Sequence, residues 1–270
     1  MTIDVMRSTL LVAAVVGILN VGAAAQEIQP SPEVRRALAP TGRLRVGLYV
    51  GNPSSLVKEP VAGQATGIGF ELGRELARWL SVPFEPVIYP NNGAVLAGFR
   101  SGNVDVVFTN ATPARSKEID FTQPYLEVEA GFLAGPRSPI AAMAEVDRPG
   151  VRVGVMEGST SSATLPQLLT NASVVIVPTI DRVIEMLGNS GLDVFATNKS
   201  ILFEVSDSVR GSRVLDGRYG VEQLALGIPK ERAVGLEYAR RFIATTIANG
   251  FVQAAVERAG FRGGAVKTGP

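Results

Sequence analysis

Apolar and polar positions follow two different spacings in the first half of the chain. Short apolar runs bounded by glycine, proline or polar residues predict buried strands, whereas apolar side chains three and four positions apart predict helices. By these criteria strands are predicted at residues 44–50, 84–89 and 104–108, and helices at residues 70–80 and 94–100. This order predicts a parallel sheet with helices on both faces. A longer extended segment follows at residues 123–133.

The same alternation restarts after a loop rich in proline, alanine and glycine at residues 135–150. Strands are predicted at residues 151–155, 174–177, 192–196 and 224–228, and helices at residues 162–169, 180–187, 201–205, 231–248 and 251–259. Two strand–helix sets separated by an extended link predict an α/β protein with two lobes.

The order of the elements also predicts how the chain divides between the lobes. We expect residues 43–132 and 226–270 to form lobe 1 and residues 133–225 to form lobe 2. Each lobe should be a mostly parallel sheet flanked by helices, and two hinge strands should join the lobes. Ligands of such sheets bind beyond the carboxyl ends of the strands, and two lobes facing each other can close by hinge bending. A cleft between the lobes is therefore the expected binding site.

The N-terminus has the pattern of an export signal. Arg7 precedes an apolar run at residues 10–19, and three alanines at residues 23–25 offer a small-residue cleavage site. We expect a signal peptide at residues 1–25, cleaved near Ala25, followed by a polar leader at residues 26–42. The alternative is an uncleaved membrane anchor, but the apolar run is shorter than the roughly 20 residues that a spanning helix needs.

Composition excludes several classes of function. The 270 residues include 26 basic and 25 acidic side chains, a net charge of +1, without a basic patch for nucleic acid. The chain has no histidine, which excludes a Ser-His-Asp triad and histidine metal ligands. It has no cysteine, which excludes thiol catalysis, thiolate zinc sites, disulfides and a lipid attachment point. We predict neither a metal nor a cofactor.

Five segments carry a resemblance to a known family. They are residues 67–77 (GIGFELGRELA), 101–105 (SGNVD), 112–125 (TPARSKEIDFTQPY), 153–160 (VGVMEGST), and 248–250 (ANG) with 260–261 (GF). In this order they resemble the bacterial extracellular solute-binding proteins of the polar-amino-acid type, which have the type II periplasmic binding fold. The resemblance implies a monomeric periplasmic protein that delivers a small carboxylate-bearing solute, an amino acid or an amine-free organic acid, to the membrane subunits of an ABC importer.

The resemblance makes Arg115 the leading candidate for ligand binding. The matching arginine of the family binds the carboxylate of the ligand. A guanidinium stays charged and offers paired donors that match a carboxylate. The alternative is a surface arginine in an ion pair with Glu118 or Asp120.

Two further groups of candidates lie around Arg115 and in the second lobe. Gly158, Ser159 and Thr160 precede a predicted helix, where backbone N–H groups and hydroxyls can meet an anion; the alternative is a plain helix cap. By resemblance, Thr109, Asn110 and Thr112 supply hydroxyl and carbonyl partners for the ligand. The segment between Asp105 and Arg115 is two residues shorter than is common in the family, so a solvated turn is the alternative for these residues.

An aromatic side chain of the first lobe stacks on the ligand in the family. Tyr49, Asn52 and Tyr89 lie near the ends of predicted first-lobe strands, and of these Tyr89 is the expected stacking residue. The alternative for each tyrosine is packing in the core or at the rim.

Asn198 is a departure from the family pattern. Amino-acid binders carry an acidic residue five positions after Asp193, where it pairs with the α-ammonium of the ligand, but this chain has an amide there. An amide brings no charge, and an enclosed cation without a counter-charge is costly. Either the ligand has no α-ammonium, or Glu222 or Glu127 supplies the charge, or the short motifs are out of register here.

An enzyme on the same fold is the alternative function. Cyclohexadienyl dehydratases resemble these binding proteins and need a positioned proton donor. Their candidate acid falls near Asn198, and an amide there argues against catalysis. A sensor input module would need a spanning segment or a signalling domain.

Overall fold

The computed structural model describes residues 29–57 and 65–267 of the chain. Its helices are α1 (Pro32–Leu38), α2 (Ile68–Leu80), α3 (Asn92–Arg100), α4 (Thr160–Leu168), α5 (Ile180–Gly188), α6 (Lys199–Ser208), α7 (Ala233–Ala248) and α8 (Phe251–Arg258). Its strands are β1 (Leu44–Tyr49), β2 (Phe84–Tyr89), β3 (Val106–Asn110), β4 (Ile119–Phe121), β5 (Leu126–Ala134), β6 (Arg152–Met156), β7 (Ser173–Val177), β8 (Val194–Asn198), β9 (Arg213–Val214), β10 (Gly220–Pro229) and β11 (Gly264–Val266).

The strands of the described residues form one sheet that runs through both lobes. Its main path is β2-β1-β3-β10-β5-β8-β6-β7. The pairs β1–β2 and β1–β3 are parallel, and so are β6–β7 and β6–β8. The predicted α/β class with two mostly parallel lobes is therefore confirmed.

Two long antiparallel strands join the lobes. In β10, residues 220–224 pair with β5 and residues 224–227 pair with β3 of the first lobe. In β5, residues 126–130 pair with β10, whereas residues 130–134 pair with β8 of the second lobe. These two strands are the hinge strands.

The core of the first lobe includes the two C-terminal helices. Trp79 of α2 packs edge-on against Phe242 of α7, with 5.2 Å between the ring centroids. Arg258 of α8 donates to Glu71 of α2. The C-terminal helices therefore pack against the same helix that covers the first strands.

The structure adds a helix to residues 26–42, which the sequence analysis treats as a leader. In α1, Ser31 caps the helix and Pro32 opens it, a position where proline needs no N–H partner. Val34 is buried, and Arg232 donates from Nη1 to the carbonyl oxygen of Ala37 at 2.7 Å. Contacts with α7, distant in sequence, stabilise this short helix.

The same ion pair fastens the first strand of each lobe. Asp105 accepts bonds from the backbone N and the guanidinium of Arg45 in β1. Asp193 accepts the same set from Arg152 in β6. Asp105 and Asp193 directly precede β3 and β8, so each ion pair holds the starts of two parallel strands side by side. The carboxyl ends of these strands therefore lie at the same edge of the sheet, which faces the cleft.

None of the helices in the described part of the chain combines the length and apolar character needed to cross a bilayer. The predicted signal peptide at residues 1–25 lies outside the described residues.

Candidate functional site

A pocket lies between the lobes, where strands β1, β3 and β8 end and helices α4 and α6 begin. The space between atoms in this pocket amounts to about 540 Å³, a figure that includes the part open to solvent. Among its described lining residues, Arg115 and Glu222 carry charge. The remainder of the lining is neutral.

Arg115 points into this pocket from a short 3₁₀ turn that follows β3. Its Nη1 donates to the hydroxyl of Thr109 at 2.9 Å and to the carbonyl oxygen of Asn110 at 3.1 Å. Its Nη2 donates to the carbonyl oxygen of Gly158, on the other lobe, at 3.2 Å. These acceptors are neutral, so the guanidinium is oriented while its charge stays available to an anion.

The acidic neighbours of Arg115 in sequence pair with other cations. Glu118 accepts from Arg100 at 2.6 Å, and Asp120 accepts from Lys230 at 2.8 Å. Burial lowers the pKa of Arg115, and the charge of Glu222 acts in the opposite direction. A guanidinium is not deprotonated in proteins at neutral pH, so Arg115 is a cation in the pocket.

Thr109 and Asn110 are the last residues of β3 and are buried rather than part of a solvated turn. The side chain of Asn110 accepts from the backbone N of Gln223 at 2.8 Å and donates to the hydroxyl of Thr160 at 3.1 Å. Thr112 lies outside the inner pocket, where its hydroxyl accepts from the backbone N of Arg115 at 3.2 Å. Thr112 therefore holds the turn that presents Arg115.

Gly158, Ser159 and Thr160 lead into α4 at the opposite side of the pocket. Ser159 is the N-cap, and its hydroxyl accepts from the backbone N of Ser162 at 3.1 Å. Ser159 and Thr160 line the inner pocket, whereas Gly158 lines the groove outside it. The helix-cap alternative and a ligand contact are compatible here, because capping uses only the side chain of Ser159.

Asn198 ends β8 and caps α6. Its Oδ1 accepts from the backbone N of Ile201 at 3.3 Å and from the hydroxyl of Ser200 at 3.1 Å. Its Nδ2 donates to Oε2 of Glu222 at 3.1 Å. The amide therefore presents a donor, and it presents that donor to an acid of the hinge strand β10.

Glu222 is a buried carboxyl group that lines the pocket. Burial raises its pKa, whereas the Asn198 amide, the charge of Arg115 and the Thr160 hydroxyl stabilise its ionised form. Glu127, the other acid considered as a counter-charge, lines a separate pocket and accepts from Gln223 and Lys267. Of the two candidates, only Glu222 lies in the cleft.

Two aromatic side chains line the pocket, Tyr49 and Phe108, and Tyr49 is the one that was named from the sequence. Its hydroxyl accepts from the side chain of Asn52, and burial raises its pKa to about 12. Tyr89 pairs with Tyr49 in the parallel register but packs over Gly98 of α3 and lines an outer groove. Tyr89 therefore packs within the first lobe, which was the alternative interpretation for it, and Tyr49 is the tyrosine that lines the pocket.

Polar contacts join the lobes across the cleft. Beyond the bonds of Asn110 and Arg115, Asn91 donates to the carbonyl oxygen of Pro178 at 3.0 Å, and the hydroxyl of Ser200 lies 3.3 Å from Oδ1 of Asn52. The structure therefore shows the lobes in a closed arrangement.

Among the residues that line the pocket, Asn92 was not singled out from the sequence, and Tyr49 was named there but Tyr89 was preferred. Asn92 opens α3 and accepts from the Thr109 hydroxyl at 3.2 Å. The pair Asn91-Asn92 before an apolar helical run was the available signal, because asparagine is a preferred N-cap. Tyr49 and Tyr89 each stand at the carboxyl end of a predicted strand, so the sequence pattern does not distinguish them.

Known sequences are similar to this chain over most of its length. Residues 44–260 match bacterial extracellular solute-binding proteins, family 3. The chain belongs to this family. It is also similar to the ABC transporter glutamine-binding protein GlnH of Bacillus subtilis (strain 168), with 23% identity over 177 residues, 61% of this chain. The match spans 63% of that relative's length.

Solved structures share the fold. One is an amino acid ABC transporter substrate-binding protein, AbpA, from Streptococcus pneumoniae bound to L-arginine, with a TM-score of 0.74, 22% identity, and coverage of 83% of this chain and 97% of that chain. Another is a solute receptor for L-cysteine of Neisseria gonorrhoeae, with a TM-score of 0.73, 22% identity, and coverage of 84% and 92%. The ancestral amino acid-binding protein AncCDT-1, a precursor of cyclohexadienyl dehydratase, gives a TM-score of 0.72, 23% identity, and coverage of 83% and 97%. The fold is the two-lobed type II periplasmic binding fold.

Proposed function

We propose that the protein is the substrate-binding component of an ABC importer, exported to the periplasm, which captures a small carboxylate-bearing solute between its lobes and delivers it to the membrane subunits of the importer. The observation that carries this proposal is Arg115. Its guanidinium lies in the interlobe pocket and is oriented by the neutral oxygens of Thr109, Asn110 and Gly158. A charge-assisted hydrogen bond to a carboxylate contributes about 1.5–3 kcal/mol.

The position of Arg115 also explains how binding is coupled to closure. A ligand shifts an equilibrium between open and closed forms only if it contacts the closed form better. An anion held by Arg115 on the first lobe lies beside Ser159 and Thr160 of the second lobe, which line the same pocket. Contacts from both lobes favour the closed form, and this is the state that a membrane partner would recognise.

Export is the second part of the proposal. The family comprises extracellular proteins, and the pattern at residues 1–25 predicts a signal peptide. Cell fractionation and N-terminal sequencing test it: we expect the protein in the periplasmic fraction, beginning near Gln26. Retention in the membrane fraction would contradict this part.

The binding proposal is tested by a thermal-shift screen of amino acids and organic acids, followed by calorimetry on wild type, Arg115→Ala and Lys117→Ala. Ligand that binds the native state raises the thermal midpoint. We expect Arg115→Ala to abolish binding of the acid selected in the screen. Lys117 lies in the same 3₁₀ turn but is exposed, so Lys117→Ala should bind as wild type does. Unchanged affinity in Arg115→Ala would refute the proposal.

Dehydratase activity is a second candidate, favoured by one observation. Glu222 is a buried acid with a raised pKa in the pocket, and such a group can hold a proton for donation at a higher pH than an ordinary carboxyl group does. Incubation of wild type and Glu222→Gln with prephenate and with arogenate tests this candidate. Turnover by wild type that Glu222→Gln loses would support it, and the absence of turnover by wild type would eliminate it.

A further inference from the structure

The interlobe pocket contains a charge that the carboxylate site leaves unused. Glu222 of β10 is 8% exposed, and its direct partners in the described chain are the amide of Asn198 and the hydroxyl of Thr160. Burying an ionised carboxylate that has only neutral hydrogen-bond partners costs free energy, because no counter-charge replaces its hydration. Arg115 attracts Glu222 through space, but its guanidinium donates hydrogen bonds to Thr109, Asn110 and Gly158.

Asn198 holds this carboxylate in one orientation. The amide oxygen of Asn198 is fixed by the backbone N of Ile201, the cap of α6. The amide nitrogen therefore faces Oε2 of Glu222 at 3.1 Å. An asparagine fixed in this way offers no oxygen to an ammonium group, whereas the acid that it supports does.

We propose that Glu222 binds the ammonium group of the ligand while Arg115 binds its carboxylate, so that the pocket selects an amino acid with an uncharged side chain. This inference rests on the proposed function, because it assumes that Arg115 binds a carboxylate. The acid acts from the hinge strand β10 and not from the end of β8, where Asn198 stands.

The rest of the lining determines the class of side chain. Apart from Arg115 and Glu222, the described residues around the pocket are apolar or neutral and polar, and its apolar members are Phe108, Met156, Ile180, Ile201 and Leu224. Once a zwitterion neutralises both charges, a third ionised group on the ligand would be enclosed without a counter-charge. A net-neutral ligand is therefore the species that the closed pocket fits.

Matched pairs of ligands test the inference. Calorimetry on the exported protein compares L-glutamine with glutaramate, L-leucine with 4-methylpentanoate and L-serine with 3-hydroxypropanoate, and adds L-arginine and L-glutamate. The variants are Glu222→Gln and the double variant Asn198→Asp with Glu222→Gln. The double variant exchanges the acid and the amide of one hydrogen-bonded pair, and an aspartate caps α6 as asparagine does.

For wild type, we expect at least one uncharged amino acid to bind ten-fold or more tightly than its amine-free partner and than the charged amino acids. Glu222→Gln should lose this preference while it still unfolds in one cooperative thermal transition, and the double variant should regain the preference. If Glu222 had only a structural role, moving the carboxylate to position 198 in the double variant would not restore the preference for ligands with an amine.

The outcomes separate this inference from the proposed function. If wild type binds an amine-free acid as tightly as its amino acid, or binds only the charged amino acids, the inference fails, and loss of that binding in Arg115→Ala keeps the proposed function. If no carboxylate of the panel binds wild type, both fail. If Glu222→Gln does not fold, the comparison of paired ligands in wild type and in the double variant decides.

Discussion

Gly93 of the first lobe and Gly158 of the second lobe meet so closely that a Cβ atom on Gly158 would lie 2.3 Å from the Cα of Gly93. A Cβ on Gly93 would lie 3.1 Å from the Cα of Gly158 and 3.2 Å from the carbonyl oxygen of Glu157. Gly158 also has a φ of +66°, in the left-handed region that glycine tolerates best. The two glycines therefore allow the lobes to approach beside Arg115.

This contact joins the two lobes, and opening of the cleft would break it. A larger side chain at position 93 should therefore weaken ligand binding without unfolding the first lobe. We expect Gly93→Ala to reduce affinity several-fold and Gly93→Leu to reduce it at least ten-fold, because the side chain holds the lobes apart. Calorimetry gives the affinity, and small-angle scattering with saturating ligand gives the fraction that closes.

A matched control for these variants is Gly188→Ala at the end of α5, where a Cβ would meet nothing within 4 Å. This variant should bind as wild type does. If Gly93→Leu also binds as wild type does, the contact between the two glycines does not limit closure.

The charge of Glu222 predicts a pH dependence of stability. Its pKa in the folded protein lies above its ordinary value of 4.5 because the carboxyl group is buried. The folded protein therefore binds this proton more tightly than the unfolded chain does, and the stabilisation is present below about pH 4.5 and lost as pH rises through the raised pKa. The ionisable groups that act on Glu222 are Arg115, Tyr49 and Tyr219. An arginine keeps its charge at these pH values, and burial raises the pKa of both tyrosines above the ordinary value of 10.

We expect the thermal midpoint of ligand-free wild type, measured relative to Glu222→Gln, to fall as pH rises above about 4.5 and through the raised pKa of Glu222. Affinity for an amino acid should change in the opposite direction and rise with pH, because the ionised carboxylate binds the ammonium group. Thermal-shift and calorimetric titrations across this range measure both quantities. Midpoints of the two proteins that stay parallel at every pH would contradict the assignment of a raised pKa to Glu222.

The ion pair between Arg258 of α8 and Glu71 of α2 predicts a difference in stability. The side chain of Glu71 is 4% exposed and that of Arg258 is 49% exposed. Arg258→Ala leaves a buried carboxylate without its cation, and with partial access of water we expect a loss of about 1–3 kcal/mol in the free energy of unfolding. Urea unfolding measures it.

A surface ion pair provides the control. Arg241 and Glu237 pair on the exposed face of α7, with side chains 54% and 65% exposed. Arg241→Ala should cost less than about 1 kcal/mol. Equal losses in the two variants would show that the Glu71 pair contributes no more than a surface pair.

Elements whose own sequence determines them were predicted well. Strand β2 is predicted at residues 84–89 and found there, because Pro83 marks its start and its residues favour strands. Helix α2 begins two residues before the predicted residues 70–80, because Gly67 with a φ of +147° turns the chain directly into the helix.

Elements that depend on distant contacts were missed. Helix α1 is seven residues long and needs the surface of α7. The short strands β4 and β11 pair only with the hinge strands β10 and β5. Nothing in the local pattern of apolar residues indicates partners so far away in the sequence.

The sequence predicted the kind of site and several of its residues, but not which tyrosine and which acid line it. The family motifs placed Arg115 and Thr160 in the cleft, where the structure also has them. Tyr89 and Tyr49 end neighbouring parallel strands in the same register, and only the position of α3 over Tyr89 separates their roles. The sequence could name Glu222 only as one of two candidate acids. It could not choose between them, because the position of the hinge strand β10 next to Asn198 is a property of the folded sheet.

The most direct test of the account is a crystal structure of the protein with the tightest ligand of the screen. We expect closed lobes, with a ligand carboxylate bonded to the guanidinium of Arg115 at about 2.7–2.9 Å. A ligand whose carboxylate binds elsewhere, with Arg115 bonded only to Thr109, Asn110 and Gly158, would contradict the account.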